Sequence, residues 1–205
     1  MERVAVIDFE TTGLSPGHGD RATEIAAVLV EDGKVVARYQ SLMNAGMRIP
    51  AFITGLTGIS DAMVRSAPPA AKVMREVANF VGDTPLVAHN ASFDKKFWDA
   101  ELALIERVRA QEFACSMLVA RRLFPQAPSH KLGVLIEFTS LPVAGAYHRA
   151  LADAEMAASL LVRMEAEICR RYQVADVTHA LLRDIQGRPK HALDDCLERY
   201  QQTRT

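Results

Sequence analysis

Val4, Ala5, Val6, Ile7 and Phe9 make an apolar run dense enough to predict a short buried strand, with two carboxylates, Asp8 and Glu10, set into its C-terminal end. Residues 11–21 then carry Gly13, Pro16, Gly17 and Gly19, which break any regular period and predict a loop. Two further apolar stretches, 22–30 and 34–44, read as strands around Asp32-Gly33, a pair typical of a tight hairpin turn. The chain therefore opens as an antiparallel meander. Residues 53–60, rich in Gly and Thr, predict a short irregular helix, and Pro68-Pro69 opens a helix through Val81, ended by Gly82. Residues 84–89 read as a fourth, buried strand. An amphipathic helix follows over 93–107, with Phe93, Phe97, Leu102 and Ile105 on its apolar side. Short helices at 117–124 and 131–138 and a long one at 150–169, rich in Ala, Leu and Met, complete the pattern. A meander followed by alternating helices and strands implies an α/β fold: a mixed central sheet, antiparallel then parallel, with helices on both faces.

The expected organisation is one main domain over 1–172 and a helical extension over 173–205, packed on it or appended to it, with helices at 177–186 and 190–201 split by Gly187 and Pro189. The extension shows no chemistry in its sequence. With 24 basic residues against 25 acidic ones, no global field draws the chain to nucleic acid or membrane, so any affinity for either is local. Three widely spaced cysteines, none in a Cys-x-x-Cys pair, argue against a disulfide framework and against a cysteine zinc site. A reducing compartment follows, and the absence of a signal-like or membrane-spanning run in the sequence makes the cytoplasm the expectation.

Successive strand side chains alternate faces, so Asp8 and Glu10 project from the same one. Two carboxylates that close raise each other's pKa unless a cation sits between them, although a polar strand end fraying into a loop would read the same way. His89-Asn90-Ala91-Ser92-Phe93-Asp94 falls where a strand gives way to a helix, with Ser92 as the expected N-cap and Asp94 in the first turn, a position the helix dipole also favours. His148-Arg149-Ala150-Leu151-Ala152-Asp153 again puts an acid near a helix start, with a histidine before it.

These three motifs in this order, Asp-x-Glu-Thr-Thr-Gly at 8–13, His-Asn-x-x-Phe-Asp at 89–94 and His-x-x-x-x-Asp at 148–153, together with Leu56-Thr57-Gly58-Ile59, resemble the DEDDh or DnaQ-like 3′-to-5′ exonucleases. The proofreading subunit of bacterial DNA polymerase III is the most similar type, and the resemblance runs over about residues 4–161. It implies the ribonuclease H-like fold, in agreement with the strand and helix pattern. It also implies that Asp8, Glu10, Asp94 and Asp153 bind metal, with His148 as general base, and no motif position is substituted. Two Mg²⁺ or Mn²⁺ ions would be held, since hard oxygen ligands suit these and make zinc a poorer choice. Imidazole titrates near neutrality, which suits a base. By the same resemblance Thr11, Thr12, Gly13, Leu14, His89, Asn90 and Phe93 bind the terminal nucleotide, Phe93 being equally suited to the core.

The implied activity is release of nucleoside monophosphates from a free 3′ end, with single-stranded DNA as the expected substrate. An RNA-trimming enzyme and a non-catalytic polymerase-associated subunit are the alternatives, because the same motifs serve several polymers. A DNA polymerase is a candidate partner, though the tail holds no recognisable clamp-binding peptide. Lys95, Lys96, Arg121, Arg122, Lys131 and Arg149 are candidate contacts to the phosphate backbone.

Overall fold

The computed structural model describes residues 2–143 and 148–202, so residues 203–205 of the expected extension lie outside it. Its centre is strand β1 (Val4–Thr11), flanked on one side by β2 (Ala22–Glu31) and β3 (Lys34–Leu42) and on the other by β4 (Leu86–Ala88) and β5 (Phe113–Cys115), in the order β3-β2-β1-β4-β5. The meander strands pair antiparallel, while β4 and β5 run parallel to β1. At the β2–β3 turn Asp32 and Gly33 both take positive φ, 48° and 73°, the conformation that an Asp-Gly hairpin supplies at low cost.

Alternation along β1 divides the core in two. Ala5, Ile7 and Phe9 face α3 (Ala70–Val81) and α4 (Ala91–Ala103), where Val73, Met74, Val77, Phe97 and Trp98 bury them. Val4 and Val6 face α5 (Ser116–Leu123), α6 (Leu132–Phe138) and α7 (Ala150–Tyr172). Helix α7 crosses β1 and β2 on Ala150, Ala154, Ala157 and Ala158, whose small side chains bring its backbone close to the sheet. That face of β1 continues beyond Val6 to Asp8 and Glu10, so the sheet's alternation turns both carboxylates toward the start of α7. A satellite cluster of Ile49, Ile53, Ile59 and Val64 ties α1 (Ala51–Thr57) and α2 (Asp61–Ser66) to Leu42.

Helices α8 (His179–Gly187) and α9 (Leu193–Gln202) add Leu181, Leu182, Ile185, Leu193, Cys196 and Leu197 to the α7-side core. Gln186 accepts from the Cys115 amide at 2.6 Å and donates to the Phe113 carbonyl, occupying the outer edge of β5 as another strand would. His179 reaches further in, its Nε2 2.9 Å from the Leu86 carbonyl. Among the described residues no helix is long and apolar enough to cross a membrane.

Several elements differ from expectation. Strand β5 and helix α2 are not foreseen in the sequence: β5 is only three residues long, and α2 is a six-residue turn capped by Ser60, which accepts from the Met63 amide. Helix α4 begins at Ala91, with Asn90 as its N-cap in the left-handed region (φ 68°, ψ 47°), so Ser92 lies inside the helix instead of capping it. Helix α7 runs to Tyr172, three residues beyond the expected Cys169.

Candidate active site

Three elements converge at the C-terminal end of β1. Asp8 and Glu10 come from the strand. Asp94 lies in the first turn of α4, buried, and its Oδ1 accepts the Phe9 amide at 3.2 Å, which binds helix to strand at the site itself. Asp153 lies in the first turn of α7, where its Oδ2 accepts the His148 amide at 2.9 Å. His148 sits at positive φ (61°), and this turn brings its ring back to the carboxylates: Glu10, His148 and Asp153 each offer a ligand atom within 4.8 Å of the others.

The electrostatics are those of a site short of positive charge. Burial raises the Asp8 carboxyl well above the usual range, and Asp94, Asp153, Glu10 and Glu24 raise it further. Burial pushes Glu10 up to about 8, assisted by Asp153, Glu24 and Asp94 and opposed by Arg149. Asp94 is likewise pushed up to about 8 by burial, against the hydrogen bond from Phe9, and burial raises Asp153. Carboxylates crowded this closely gain from a shared cation, and an all-oxygen set with one imidazole is a donor set that a hard divalent ion accepts.

A cavity of about 220 Å³ opens over this cluster, with Asp8, Glu10, Asp94, His148 and Asp153 in its lining. Thr11, Gly13, Leu14 and Phe93 also border it, as do Ile53, Leu56 and Thr57 from α1. Phe93 is both core and wall: half-buried, it packs against Phe97 at 5.0 Å between centroids while lining the cavity. A second cavity, about 490 Å³, shares Asp8, His148 and Asp153 and extends along α6 past Lys131.

Thr12, His89 and Asn90 do not line the cavity over the carboxylates. Thr12 is buried and holds the following loop, its Oγ1 accepting the Arg21 amide at 3.0 Å and its own amide donating to the Arg21 carbonyl. Both ring nitrogens of His89 are engaged, with Ser116 Oγ and the His130 carbonyl, each at 2.9 Å, and burial lowers its pKa to about 4. Neutral His89 thus braces β4 against α5. Asn90 faces a different cavity, beyond α4. Gly13 lines the site, yet the space its missing side chain leaves is filled by the Asp20 carboxylate, which accepts the Ser15 amide.

Two buried acids absent from the motif reading hold the site together, and they do so alike. Glu101 takes both Nε and Nη2 of Arg21 at 2.8 Å together with the Ala22 amide at 3.1 Å, fixing the end of the loop after β1. Glu24 takes Nε and Nη2 of Arg149 at 3.1 and 2.8 Å together with the Ala150 amide at 3.1 Å, fixing the start of α7. Glu24 lies opposite Glu10 in the β1–β2 register, so the anchor of α7 stands next to the site it positions. Glu24 is marked only as an acid inside a largely apolar strand, and Glu101, in a helix that also carries Asp94, Lys95, Lys96 and Asp99, has no local mark at all.

The candidate phosphate contacts divide accordingly. Arg149 is committed to Glu24, and Arg122 to the Arg188 and Leu118 carbonyls. Lys96 donates to the Leu14 carbonyl beside the Phe93 ring. Lys131 borders the second cavity, while Lys95 and Arg121 meet at the one beyond α4.

Sheet order, converging acids and flanking histidine are those of a ribonuclease H-like fold with a candidate divalent-metal site. Residues 5–161 match the exonuclease family RNase_T, and the chain belongs to that family. It is 37% identical over 165 residues to a DNA polymerase III of PolC type from Bacillus subtilis (strain 168), covering 80% of this chain and 11% of that one. It is 39% identical over 159 residues to the 3′-5′ exonuclease DinG of the same organism, covering 76% of this chain and 17% of that protein. The chain thus spans a small part of the length of these relatives. Among solved structures it superposes on exonuclease X in complex with 5′ overhanging duplex DNA with a TM-score of 0.72 at 29% identity, over 90% of this chain and 99% of that one. The nuclease domain of 3′hExo, a DEDDh family member bound to rAMP, shares the fold with a TM-score of 0.68 at 22% identity, over 80% of this chain and 91% of that domain.

Proposed function

We propose that this protein is a divalent-metal-dependent 3′-to-5′ exonuclease that releases nucleoside monophosphates from single-stranded DNA. The observation that carries the reading is the convergence of Asp8, Glu10, Asp94, His148 and Asp153 on one cavity from the ends of three separate elements. DNA is favoured over RNA because exonuclease X, solved with DNA, aligns over nearly its whole length at 29% identity.

Asp8, Glu10, Asp94 and Asp153 would hold two Mg²⁺ or Mn²⁺ ions, whose chemistry is to polarise the scissile phosphate and stabilise the leaving 3′-oxygen. His148 stands beside Glu10 and Asp153, exposed to solvent, and accepts the proton of the attacking water. The Phe9 amide holds Asp94 and the His148 amide holds Asp153, so two of the ligands are oriented before any ion arrives. Leu14, Ile53, Leu56 and Phe93 give the cavity apolar walls for one base and sugar, while Thr11 and Gly13 border it where a terminal sugar would lie. A cavity of about 220 Å³ has room for little more than one base and sugar, which suits attack at a chain end.

End-labelled single-stranded DNA and RNA of one sequence, each incubated with Mg²⁺, with Mn²⁺ and with chelator, test the proposal. Mononucleotide release from DNA in either metal and none in chelator is expected. Faster release from RNA would reverse the choice of polymer, and no release in either metal would favour a non-catalytic subunit.

A further inference from the structure

Beyond the first turn of α4 lies a third opening, a cavity of about 590 Å³ bordered by the motif residue Asn90 and by Lys95 and Arg121 of the candidate phosphate contacts. Lys95, Arg121 and Arg183 border it, against one acid, Glu112. That acid does not neutralise the groove: it stands 3.5 Å from Arg183 with both side chains about half exposed, a loose pair of a kind that contributes little. Arg121 spends one N–H on Met117 Sδ, a weak acceptor, at 3.8 Å. The setting makes the patch informative, because the chain as a whole has a net charge of −1 and the neighbouring cavity is lined with carboxylates. A polyanion is therefore drawn to this face by these side chains and not by the protein's overall field.

We propose that this groove binds the phosphate backbone of the substrate strand upstream of the nucleotide being removed, and that α8 completes it. The inference rests on the exonuclease reading, since a strand whose end lies in the catalytic cavity must leave it. Phe93 and Asp94 point into that cavity while Lys95, the next residue, borders the groove, so the start of α4 separates the two by the width of one helix turn. Arg183 comes from α8, outside residues 5–161 that match the family, so this part of the docking surface belongs to the chain's own C-terminal segment. Its position is fixed: Gln186, one turn on, is hydrogen-bonded to both Cys115 and Phe113 of β5.

The test compares a long substrate with a minimal one. Wild type, Arg183→Glu and Arg121→Glu/Arg183→Glu are assayed on the oligonucleotide dT12 and on the p-nitrophenyl ester of thymidine 5′-monophosphate, which fills only the terminal site. Arg183→Glu should raise KM for dT12 several-fold with turnover of the ester unchanged, and the double variant should raise that KM by at least about tenfold. The slope of log affinity for fluorescein-labelled dT12 against log salt should flatten by about 0.7 for each phosphate that is no longer neutralised. Wild-type KM and salt slope in the double variant overturn the proposal, as does an equal fall on dT12 and ester. Because the salt slope is a binding measurement, it judges the groove even if wild type cleaves neither substrate, a result that would sink the exonuclease reading instead.

Discussion

Replacing Glu10 with Gln removes a charge that the metal-free fold holds at a cost. The residue is 9% exposed, and burial, followed by Asp153, Glu24 and Asp94, pushes its carboxyl from an ordinary 4.5 up to about 8. Between those two values the unfolded chain releases the proton and the folded chain keeps it. Stability is therefore fully present below pH 4.5 and is lost as the pH rises toward 8. At about 1.4 kcal/mol per pH unit, the interval from 4.5 to about 8 sets a ceiling of about 5 kcal/mol on that loss. The repulsion is shared with Asp8 and Asp94, whose carboxyls are raised as well, so the gain from Glu10→Gln at pH 8 should fall nearer the roughly 0.5–2 kcal/mol that relief of a functional compromise commonly yields. For a chain of this size that is a rise in Tm of roughly 1–8 °C. Thermal melts in chelator at pH 4 and pH 8 should show almost no gain at the first and this gain at the second. Saturating Mn²⁺ should then stabilise wild type by about 2.7 kcal/mol at a hundred times its Kd and the variant by far less. A variant that melts below wild type at pH 8 in chelator, or gains equally at both pH values, would refute the reasoning and make Glu10 a structural residue.

His148→Ala should lower turnover of single-stranded DNA by about two to four orders of magnitude with little change in Mn²⁺ affinity, the signature of a missing general base; a loss confined to metal affinity would make His148 a ligand instead. Glu24→Ala leaves the Arg149 guanidinium and the Ala150 amide without their acceptor, so urea titration should show a loss of about 1–3 kcal/mol, accompanied by lower activity as α7 loosens. Although burial works to raise the Glu24 carboxyl, its bonds to Arg149, Ala150 and Gln40 win and lower it, so its contribution is present above pH 4.5 and fades as the pH falls through the lowered value. The penalty for Glu24→Gln should accordingly be smaller at pH 3 than at pH 7. Phe93→Ala should raise KM for the terminal nucleotide by roughly tenfold, the scale of one base-stacking contact, and an unchanged KM would confine Phe93 to the core.

The sheet's antiparallel half was legible because its signals are local: an apolar run, an Asp-Gly turn and a second run. Strand β5 was not, because Phe113, Ala114 and Cys115 are too few to show a period and become a strand only by pairing with β4. The helix start at Asn90 escaped for a related reason. Its left-handed backbone is a tertiary choice that brings Asp94 under the Phe9 amide, whereas Ser92 matched the usual capping preference. At the site, the three motifs identified the acids that converge, since each sits at an element's end where the fold leaves a side chain to spare. The roles of Glu24 and Glu101 were not legible because their partners lie 125 and 80 residues away, so no spacing rule could connect them. His89 is a motif residue whose ring the fold engages on both sides, through contacts that no local spacing reveals.

Where cleavage begins is the most direct test of end-directed hydrolysis at the carboxylate cluster. A 3′-hydroxyl single strand, the same strand with a 3′-phosphate, and its closed circle, each internally labelled and incubated with Mg²⁺ beside an Asp8→Asn control, separate that reaction from every alternative. Mononucleotides are expected from the 3′-hydroxyl strand, with strong resistance of the 3′-phosphorylated strand and the circle, and no product from Asp8→Asn. Circles cut at the rate of linear strands, or undiminished cleavage by Asp8→Asn, would contradict it.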